Sequence, residues 1–271
     1  MSEKNEPSIS KEQATFLAQL HRRKWSIRCL QFFFLISFFL FWELAAKKSW
    51  IDPFIFSQPS RMLTAAIDMM SDGSLWDHIG TTLWETIAGF LLGTILGTLT
   101  AILLWWNRFL SDVAEPYLVI LNSLPKTALA PIIIVWFGNN QSSIILVALL
   151  TSVIVTILSV LNGFLQVDAD KIKLIQIFGG TKWQVLTKIV FPANIPSILN
   201  ALKINVGLSL VGVIVGEFLV AQKGLGFLIL YGGQVMKLNW VMMSVIILAI
   251  LSAMMYGIIA LAEKWMIKKW Q

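Results

Sequence analysis

The sequence predicts an all-α integral membrane protein with six transmembrane helices. Of its 271 residues, 57% are hydrophobic and only 13% are charged, whereas soluble domains carry about 25% charged residues. Its mean hydropathy is +0.75. Apolar runs close to the ~20 residues that a helix needs to cross the hydrocarbon layer recur along the chain. They lie at about 30–46, 79–106, 117–137, 143–164, 196–221 and 238–262.

The distribution of basic residues predicts the orientation of these spans. With the N-terminus inside, the inner segments hold fourteen of the 21 Lys and Arg residues and the outer segments hold five. Basic residues collect on the cytoplasmic side, so both termini are expected there. In so apolar a chain, the net charge of +6 indicates cytoplasmic loops and anionic lipid headgroups rather than a nucleic-acid partner.

The chain divides into a cytoplasmic basic head, residues 1–28, and a six-span domain, residues 29–271. The head is either a short amphipathic helix on the inner membrane surface or a disordered tail. After the first span, residues 47–78 form an external segment. A helix opens there at residues 58–61 and ends at Asp72 and Gly73, since glycine favours helix ends.

The second span carries a face of small residues. Gly89, Gly93 and Gly97 recur at every fourth position, and no charged residue occurs from 86 to 106. In lipid, helices associate through close packing, which such a bare face allows. A packing role is therefore expected.

The third and fifth spans contain polar residues that are candidates for a translocation pathway. Pro125 and Pro131 free backbone carbonyls, which is tolerated only where protein or water satisfies them. Lys126 either faces a polar pathway, snorkels or pairs with a neighbour, and Glu217 either pairs within the bundle or shapes the pathway. The candidates are Asn122, Lys126, Asn205, Ser209 and Glu217.

The remaining spans follow clear boundaries. The turn at 138–141 precedes the fourth span, and the sixth carries no charge before Glu263. Between the fifth and sixth spans, the glycines of 224–226 and 232–233 indicate a re-entrant or surface segment. Lys203, near the inner end of the fifth span, is expected to reach the headgroups.

The polar loop at 168–192 predicts two short helices joined at a bend. Asp168 can cap the first helix, and Gly179 with Gly180 can end it. Thr181 and Gln184 form a capping box for the second helix, which Pro192 is expected to stop. Two capped helices outside the bilayer make a rigid knob that suits a soluble partner.

The motifs that the sequence lacks exclude several functions. It contains no G-x4-G-K-[ST] phosphate loop, no H-E-x-x-H and no G-x-S-x-G, so no enzyme activity is predicted and the energy source would lie in another chain. Cys29 is the single cysteine, and only His21 and His78 could act as histidine ligands. No metal or cofactor is expected on this chain.

The same loop resembles the cytoplasmic loop of permease subunits of ATP-binding-cassette (ABC) importers, E-A-A-x3-G-x9-I-x-L-P. Gly179, Ile189 and Pro192 match its second half, but Lys173 stands where the acidic residue is expected. Further motifs in the same order resemble permeases for nitrate, aliphatic sulfonates and taurine. They are Pro59–Ser60, residues 81–90, Leu124–Pro125, Ala130–Pro131, residues 134–138 and 193–196, Glu217 and residues 224–226.

This resemblance implies the type I importer architecture with cytoplasmic coupling helices, in a bacterial inner membrane. It implies a permease homodimer, ATPase subunits that hold ATP and Mg²⁺, and an extracytoplasmic substrate-binding protein. The cargo would be a small anion or, alternatively, a thiamine-pyrimidine precursor or another heterocycle, since many relatives have Arg where Asn122 stands. The residues expected to contact the ATPase are Lys173, Phe178, Gly179, Gly180, Trp183, Ile189 and Pro192.

Two functions of other classes remain open from the sequence. A membrane-embedded enzyme would use Lys126 and Glu217 and would turn over substrate as a purified chain. A secondary carrier would support gradient-driven flux in liposomes that contain this chain alone.

Overall fold

The computed structural model describes residues 11–270, and every regular element in that range is helical. Five helices are long and apolar enough to cross a membrane, and a bent pair of shorter helices passes the same test when it is counted as one span. The predicted all-α membrane fold is confirmed, with five spans or, with that pair, six. The helices are α1 Lys11–Lys47, α2 Pro59–Ser71, α3 Ser74–Trp106, α4 Arg108–Ser123, α5 Ala130–Phe137, α6 Gln141–Leu165, α7 Ala169–Ile177, α8 Lys182–Val185, α9 Phe191–Ala193, α10 Ile195–Val220, α11 Leu225–Gln234 and α12 Leu238–Trp270.

The chain divides into two compact units, Met1–Leu63 and Thr64–Gln271. In the first, α1 continues without a break across residue 28, so the expected separate surface helix does not form. The physical reason is local, because residues 22–28 contain neither Gly nor Pro to end a helix. The first ten residues of the predicted head lie outside the described range, and its cytoplasmic location stays a prediction.

A carboxylate ties the start of α2 to the end of α1. Glu43 accepts hydrogen bonds from the Ser60 backbone N–H and from its hydroxyl, both at 3.0 Å, and pairs with Lys47 at 3.0 Å. At its other end α2 stops at Ser71, and Gly73 takes a left-handed φ of +80°, as the sequence predicts.

The second unit is built on close packing of α3, α6 and α10. A Cβ added at Gly89 would lie 2.5 Å from the Ala148 Cβ, and one at Gly97 would lie 2.5 Å from the Thr156 Cβ. Gly212 of α10 approaches the same Ala148 as closely, at 2.6 Å from its Cα. The glycine face of α3 is therefore a packing seam against α6, as predicted.

The third span is broken rather than continuous. Helices α4 and α5 are joined by a 3₁₀ turn, Lys126–Leu129, and the two halves bend by 86°. Leu124 is extended (φ −67°, ψ 138°) because a proline disfavours the helical conformation in the residue before it. The predicted single helix over 117–137 is thus corrected to two half-helices.

The expected stop at Pro192 is also wrong. Helix α8 runs through a π turn, Leu186–Val190, into α9, and Pro192 occupies the first turn of α9. Proline is tolerated in the first turn because its missing N–H has no intrahelical acceptor there. The π turn resets the hydrogen-bond register just before the proline, so the helical path ends only at Asn194.

Candidate coupling loop and translocation residues

The loop at 168–192 begins with a capped helix. The Asp168 Oδ1 accepts from the Asp170 N–H at 2.9 Å, which starts α7. Helix α7 ends before Gly179, whose φ of +75° lies in the left-handed region. A Cβ at Gly180 would meet the Ile175 side chain and lie 2.8 Å from its carbonyl oxygen. Both glycines are therefore required by the bend, as predicted.

The second helix of the loop has the predicted capping box. The Thr181 N–H donates to the Gln184 Oε1 at 2.8 Å, and the Gln184 N–H donates to the Thr181 Oγ1 at 3.3 Å. Reciprocal bonds of this type satisfy two N–H groups that the helix itself leaves without acceptors. The start of α8 is thus fixed by local chemistry.

The second helix packs into the protein core where the helix bundle meets this loop. We call that end of the bundle, which contains Trp106, Leu165 and Ile195, the loop end. Its buried apolar residues pack with buried residues of α3, α4 and α6. They are Val185, Leu186 and Val190, in one cluster with Ala101, Leu104, Leu118, Ile157, Val160, Leu161 and Phe164. Lys182 adds an anchor, since its ammonium donates to the Trp106 carbonyl and lies 5.4 Å from the centre of the Trp106 ring.

The bend between α7 and α8 presents an exposed apolar crest, Ile177, Phe178 and Trp183. Ile177 is 80% exposed, Phe178 83% and Trp183 61%. Lys173 is also exposed and lies 3.7 Å from Asp170, whereas Ile189 and Pro192 are half-buried. The predicted coupling residues therefore divide into the exposed crest, the two glycines at the bend, and Ile189 with Pro192. These last two belong to residues 185–192, the partly buried segment that we call the root. Contact of these residues with an ATPase stays a prediction.

Sequence reasoning did not single out Ile177, Lys182 or Val185. The available signal was the helical spacing of Val185, Leu186 and Ile189 after the cap at Thr181, which marks one apolar face of a helix. That Lys182 reaches Trp106 depends on the packing of α3, which no local pattern reveals.

Asn122 and Lys126 lie together at the break of the third span. The Lys126 Nζ donates to the Asn122 carbonyl at 2.9 Å and lies 3.4 Å from the Asn122 Oδ1. The ammonium thus satisfies a carbonyl near the bend, while Asn122 itself is exposed. Of the predicted pathway residues, these two form one group.

Asn205 and Ser209 of α10 are fully buried within the helix bundle. The Asn205 Nδ2 donates to the Thr156 Oγ1 at 2.6 Å and lies 3.5 Å from the Thr94 Oγ1. The Asn205 Oδ1 and the Ser209 Oγ have no hydrogen-bond partner among the described residues. The structure places both residues in the contact between helices, and their role in a pathway stays a prediction.

Glu217 and Lys203 both have partners within the bundle. Glu217 accepts from the Thr82 hydroxyl at 2.7 Å and from the Gly226 N–H at 2.5 Å, which favours the pairing interpretation. Lys203 forms a 2.5 Å ion pair with Glu263 of α12, and its contact with headgroups stays a prediction. Glu85, which sequence reasoning passed over, is buried beside Glu217.

Two of the cavities in the described part of the chain lie at the ends of the helix bundle. One of about 810 Å³ lies at the loop end, and its lining includes Arg108, Asp112, Glu115, Asn162 and Lys182. The other, of about 490 Å³, lies at the opposite end, which we call the far end (Ser74, Gln141, Val220). Within residues 11–270, no group of three or more His, Cys, Asp or Glu side chains could hold a metal ion.

Comparison with known proteins identifies the family. The model of the family described as "Binding-protein-dependent transport system inner membrane component" matches residues 89–269. SsuC of Escherichia coli (strain K12), named for aliphatic sulfonates transport, is 24% identical over 229 residues, covering 84% of this chain and 87% of that protein. ThiX of Halalkalibacterium halodurans, named as a formylaminopyrimidine transport permease protein, is 30% identical over 194 residues, covering 72% and 77%.

Solved structures share the fold. An inward-facing conformation of the MetNI methionine ABC transporter aligns with a TM-score of 0.59 at 20% identity, over 71% of this chain and 97% of that one. A bacterial ABC transporter that imports the acidic polysaccharide alginate aligns with a TM-score of 0.63 at 15% identity, over 92% and 98%. The chain therefore belongs to the family of binding-protein-dependent transport system inner membrane components and is a permease subunit of an ABC importer, a transport component rather than an enzyme.

Proposed function

We propose that this permease is one half of a homodimeric pathway for a small anion of the sulfonate, nitrate or taurine type. A binding protein delivers the anion at the far end, and ATPase subunits, which hold ATP and Mg²⁺, engage the 168–192 loop in the cytoplasm. Both termini then lie in the cytoplasm. The observation that carries the choice of an anion is the position of Lys126 at the break of the third span.

The argument for an anion rests on the cost of placing a charge within a span. A lysine inside the hydrocarbon layer costs several kcal/mol unless it faces a polar interior. Lys126 is half-buried, and its described contacts are with Asn122. An ammonium carries three N–H donors, so these contacts leave capacity for an anionic solute.

A second copy of the chain is the natural second wall of such a pathway. Around the break, Asn122 is exposed, and Val135 and Trp136 of α5 are 81% and 75% exposed. A polar pathway within a membrane must be enclosed by protein. A twofold partner that covers this face would enclose two copies of Lys126.

For the coupling loop, the support is its division into a buried root and an exposed crest. Phe178 and Ile177 are exposed, while Leu186 and Val190 belong to the core. Force applied to the crest would reach the ends of α3 and α6 because the root packs directly against them. A flexible connection would not transmit such a displacement.

The anion proposal is tested by reconstitution with the cognate ATPase and binding protein. We expect Lys126→Met to lower uptake of the anion at least tenfold and Lys126→Arg to retain most of it, because the charge is kept. Lys237→Met is the matched control, since Lys237 is a far-end lysine whose ammonium lies 4.1 Å from the centre of the Trp240 ring. Unchanged anion uptake by Lys126→Met would refute the proposal. If the protein takes up a neutral pyrimidine and Lys126→Met does not change that uptake, the heterocycle alternative is favoured. That alternative is supported by the resemblance to ThiX.

Docking of the ATPase is tested with point variants of the crest. Deleting the loop is uninformative because its root belongs to the core. We expect Phe178→Ser with Trp183→Ser to reduce copurification of the ATPase at least tenfold while the thermal midpoint of the permease stays unchanged. Leu63→Ser, at a similarly exposed apolar position outside the loop, should leave copurification intact. Full copurification of the crest variant would exclude this docking mode.

A further inference from the structure

Two buried carboxyl groups meet at the far end of the bundle. Glu85 of α3 and Glu217 of α10 are each 1% exposed, and the two carboxyl groups are close enough to interact directly. None of the described ion pairs includes either group. Two ionised carboxylates in direct contact repel each other, and a hydrogen bond between them requires a proton on one of them.

The surrounding donors indicate which group is ionised. Glu217 accepts from the Thr82 hydroxyl and from the Gly226 N–H. A carboxylate that accepts several such bonds is stabilised in its charged form. Glu85 contacts Gln141 and Glu217, and its Oε2 has no partner among the described residues. Glu85 is therefore placed as the neutral acid and Glu217 as the charged acceptor.

The other charged and titratable groups nearby do not neutralise the pair. Lys223 forms an ion pair with Asp77 at 2.8 Å. The His78 Nδ1 accepts from the Gly224 N–H at 2.9 Å, so this nitrogen carries no proton. Thus α3 contributes Asp77 and His78, the segment after α10 contributes Lys223, and α6 contributes the uncharged Gln141.

A polar cavity gives this pair a route to solvent. The far-end cavity of about 490 Å³ is lined by Glu85 and by uncharged amides as well as Lys223. Its amides are Asn139, Asn140, Gln141 and Gln222. Protons can reach Glu85 through such a cavity without crossing the packed helices.

We propose that Glu85 and Glu217 form a proton-binding site, in which one proton on Glu85 bridges to Glu217 and is exchanged with the far-end medium through the cavity. The bridge fastens the α10–α11 segment to α3. Glu217 already bonds to Gly226, and the Thr82 hydroxyl accepts from the Leu225 N–H at 2.8 Å. Loss of the proton places two negative charges in contact and separates these elements. The site follows from the geometry and is independent of the cargo and of the ATPase.

The test uses the full chain reconstituted in lipid. Infrared spectroscopy should show the carbonyl band of a protonated carboxylic acid in the wild type, and this band should disappear as the pH is raised. Glu85→Gln should lack the band. The control Glu115→Gln, at an exposed position, should retain it. The thermal midpoint of the wild type should fall with this band because the folded chain binds the proton. In Glu85→Gln the thermal midpoint should not fall over the same pH range.

A second pair of variants separates the proton bridge from simple packing. Glutamine at position 85 can donate an N–H to Glu217, whereas methionine of similar length cannot. We expect Glu85→Gln to keep the wild-type midpoint and Glu85→Met to lower it by several degrees. Absence of the carboxylic acid band, or equal stability of the two variants, overturns the proposal. If Glu85→Met does not fold, the infrared band alone decides.

Discussion

Replacing Gly97 with alanine should separate α3 from α6. The added Cβ would lie 2.5 Å from the Thr156 Cβ, 2.8 Å from its Cγ2 and 3.0 Å from the Val153 carbonyl oxygen. One of these atoms is backbone, so rotating the Thr156 side chain does not relieve the overlap. Overpacking of this kind costs about 1–3 kcal/mol.

Two further effects set the size of the change. Moving α6 away stretches the 2.6 Å hydrogen bond between Asn205 and Thr156, a loss of about 0.5–1.5 kcal/mol. The better helix propensity of alanine offsets up to about 1 kcal/mol. Together these terms give a net destabilisation of about 0.5–4.5 kcal/mol, which corresponds to a fall of roughly 1–18 °C in the thermal midpoint at about 2–4 °C per kcal/mol.

The assay is thermal unfolding of the purified chain in one lipid or detergent, with Gly80→Ala as the matched control. Gly80 belongs to the same helix, and nothing lies within 4 Å of its added Cβ. There the substitution should be neutral or stabilising by up to about 1 kcal/mol, because only the propensity changes. Equal midpoints for the two variants would refute the inference that the glycine face is a packing seam.

Four other substitutions probe the ion pair and the loop. Lys203→Met and Glu263→Gln should each destabilise the chain because the two groups form a half-buried ion pair. The double variant should lose about 0.5–3 kcal/mol less stability than the sum of the two single losses. Additive losses in this double-mutant cycle would contradict the pairing. Gly179→Ala should cost about 1–2 kcal/mol, since its φ is +75°, and speed amide exchange in the loop while leaving exchange in α6 unchanged. Thr181→Ala removes the cap of α8 and should cost about 1 kcal/mol, with Thr181→Ser as the control that keeps the wild-type exchange rate.

Features that depend on neighbours in sequence were predictable. The caps at Asp168 and Thr181 rest on side chains that bond to the backbone two or three residues away. The bend at Gly179 rests on a left-handed φ that glycine adopts readily. The glycine spacing in α3 also fixes which face can approach another helix. For these elements the chemistry that forms the structure lies within one turn of chain.

Features that depend on distant residues were not predictable. Lys203 and Glu263 are sixty residues apart and meet only because α10 packs against α12. The sequence did not mark Glu85 as a site residue because an uncharged run follows it and its partner Glu217 lies on another helix. The π turn before Pro192 likewise reflects the burial of Leu186 and Val190 in the core, which keeps the helix going where proline alone would end it.

The arrangement of rigid and bent elements suggests where a conformational change can occur. The close approaches at Gly97 and Gly212 leave no room for α3, α6 and α10 to slide past one another, so these helices move as one body. The loop root packs against the same body through Phe164. The 3₁₀ turn between α4 and α5, by contrast, has an 86° bend and no continuous helical ladder to keep it stiff. If an ATPase pushes on the crest as proposed, the displacement would pass to α3 and α6. Leu118 of α4 and Ile133 of α5 pack against buried residues of these helices, so their contacts would change with it, on either side of the break that carries Lys126.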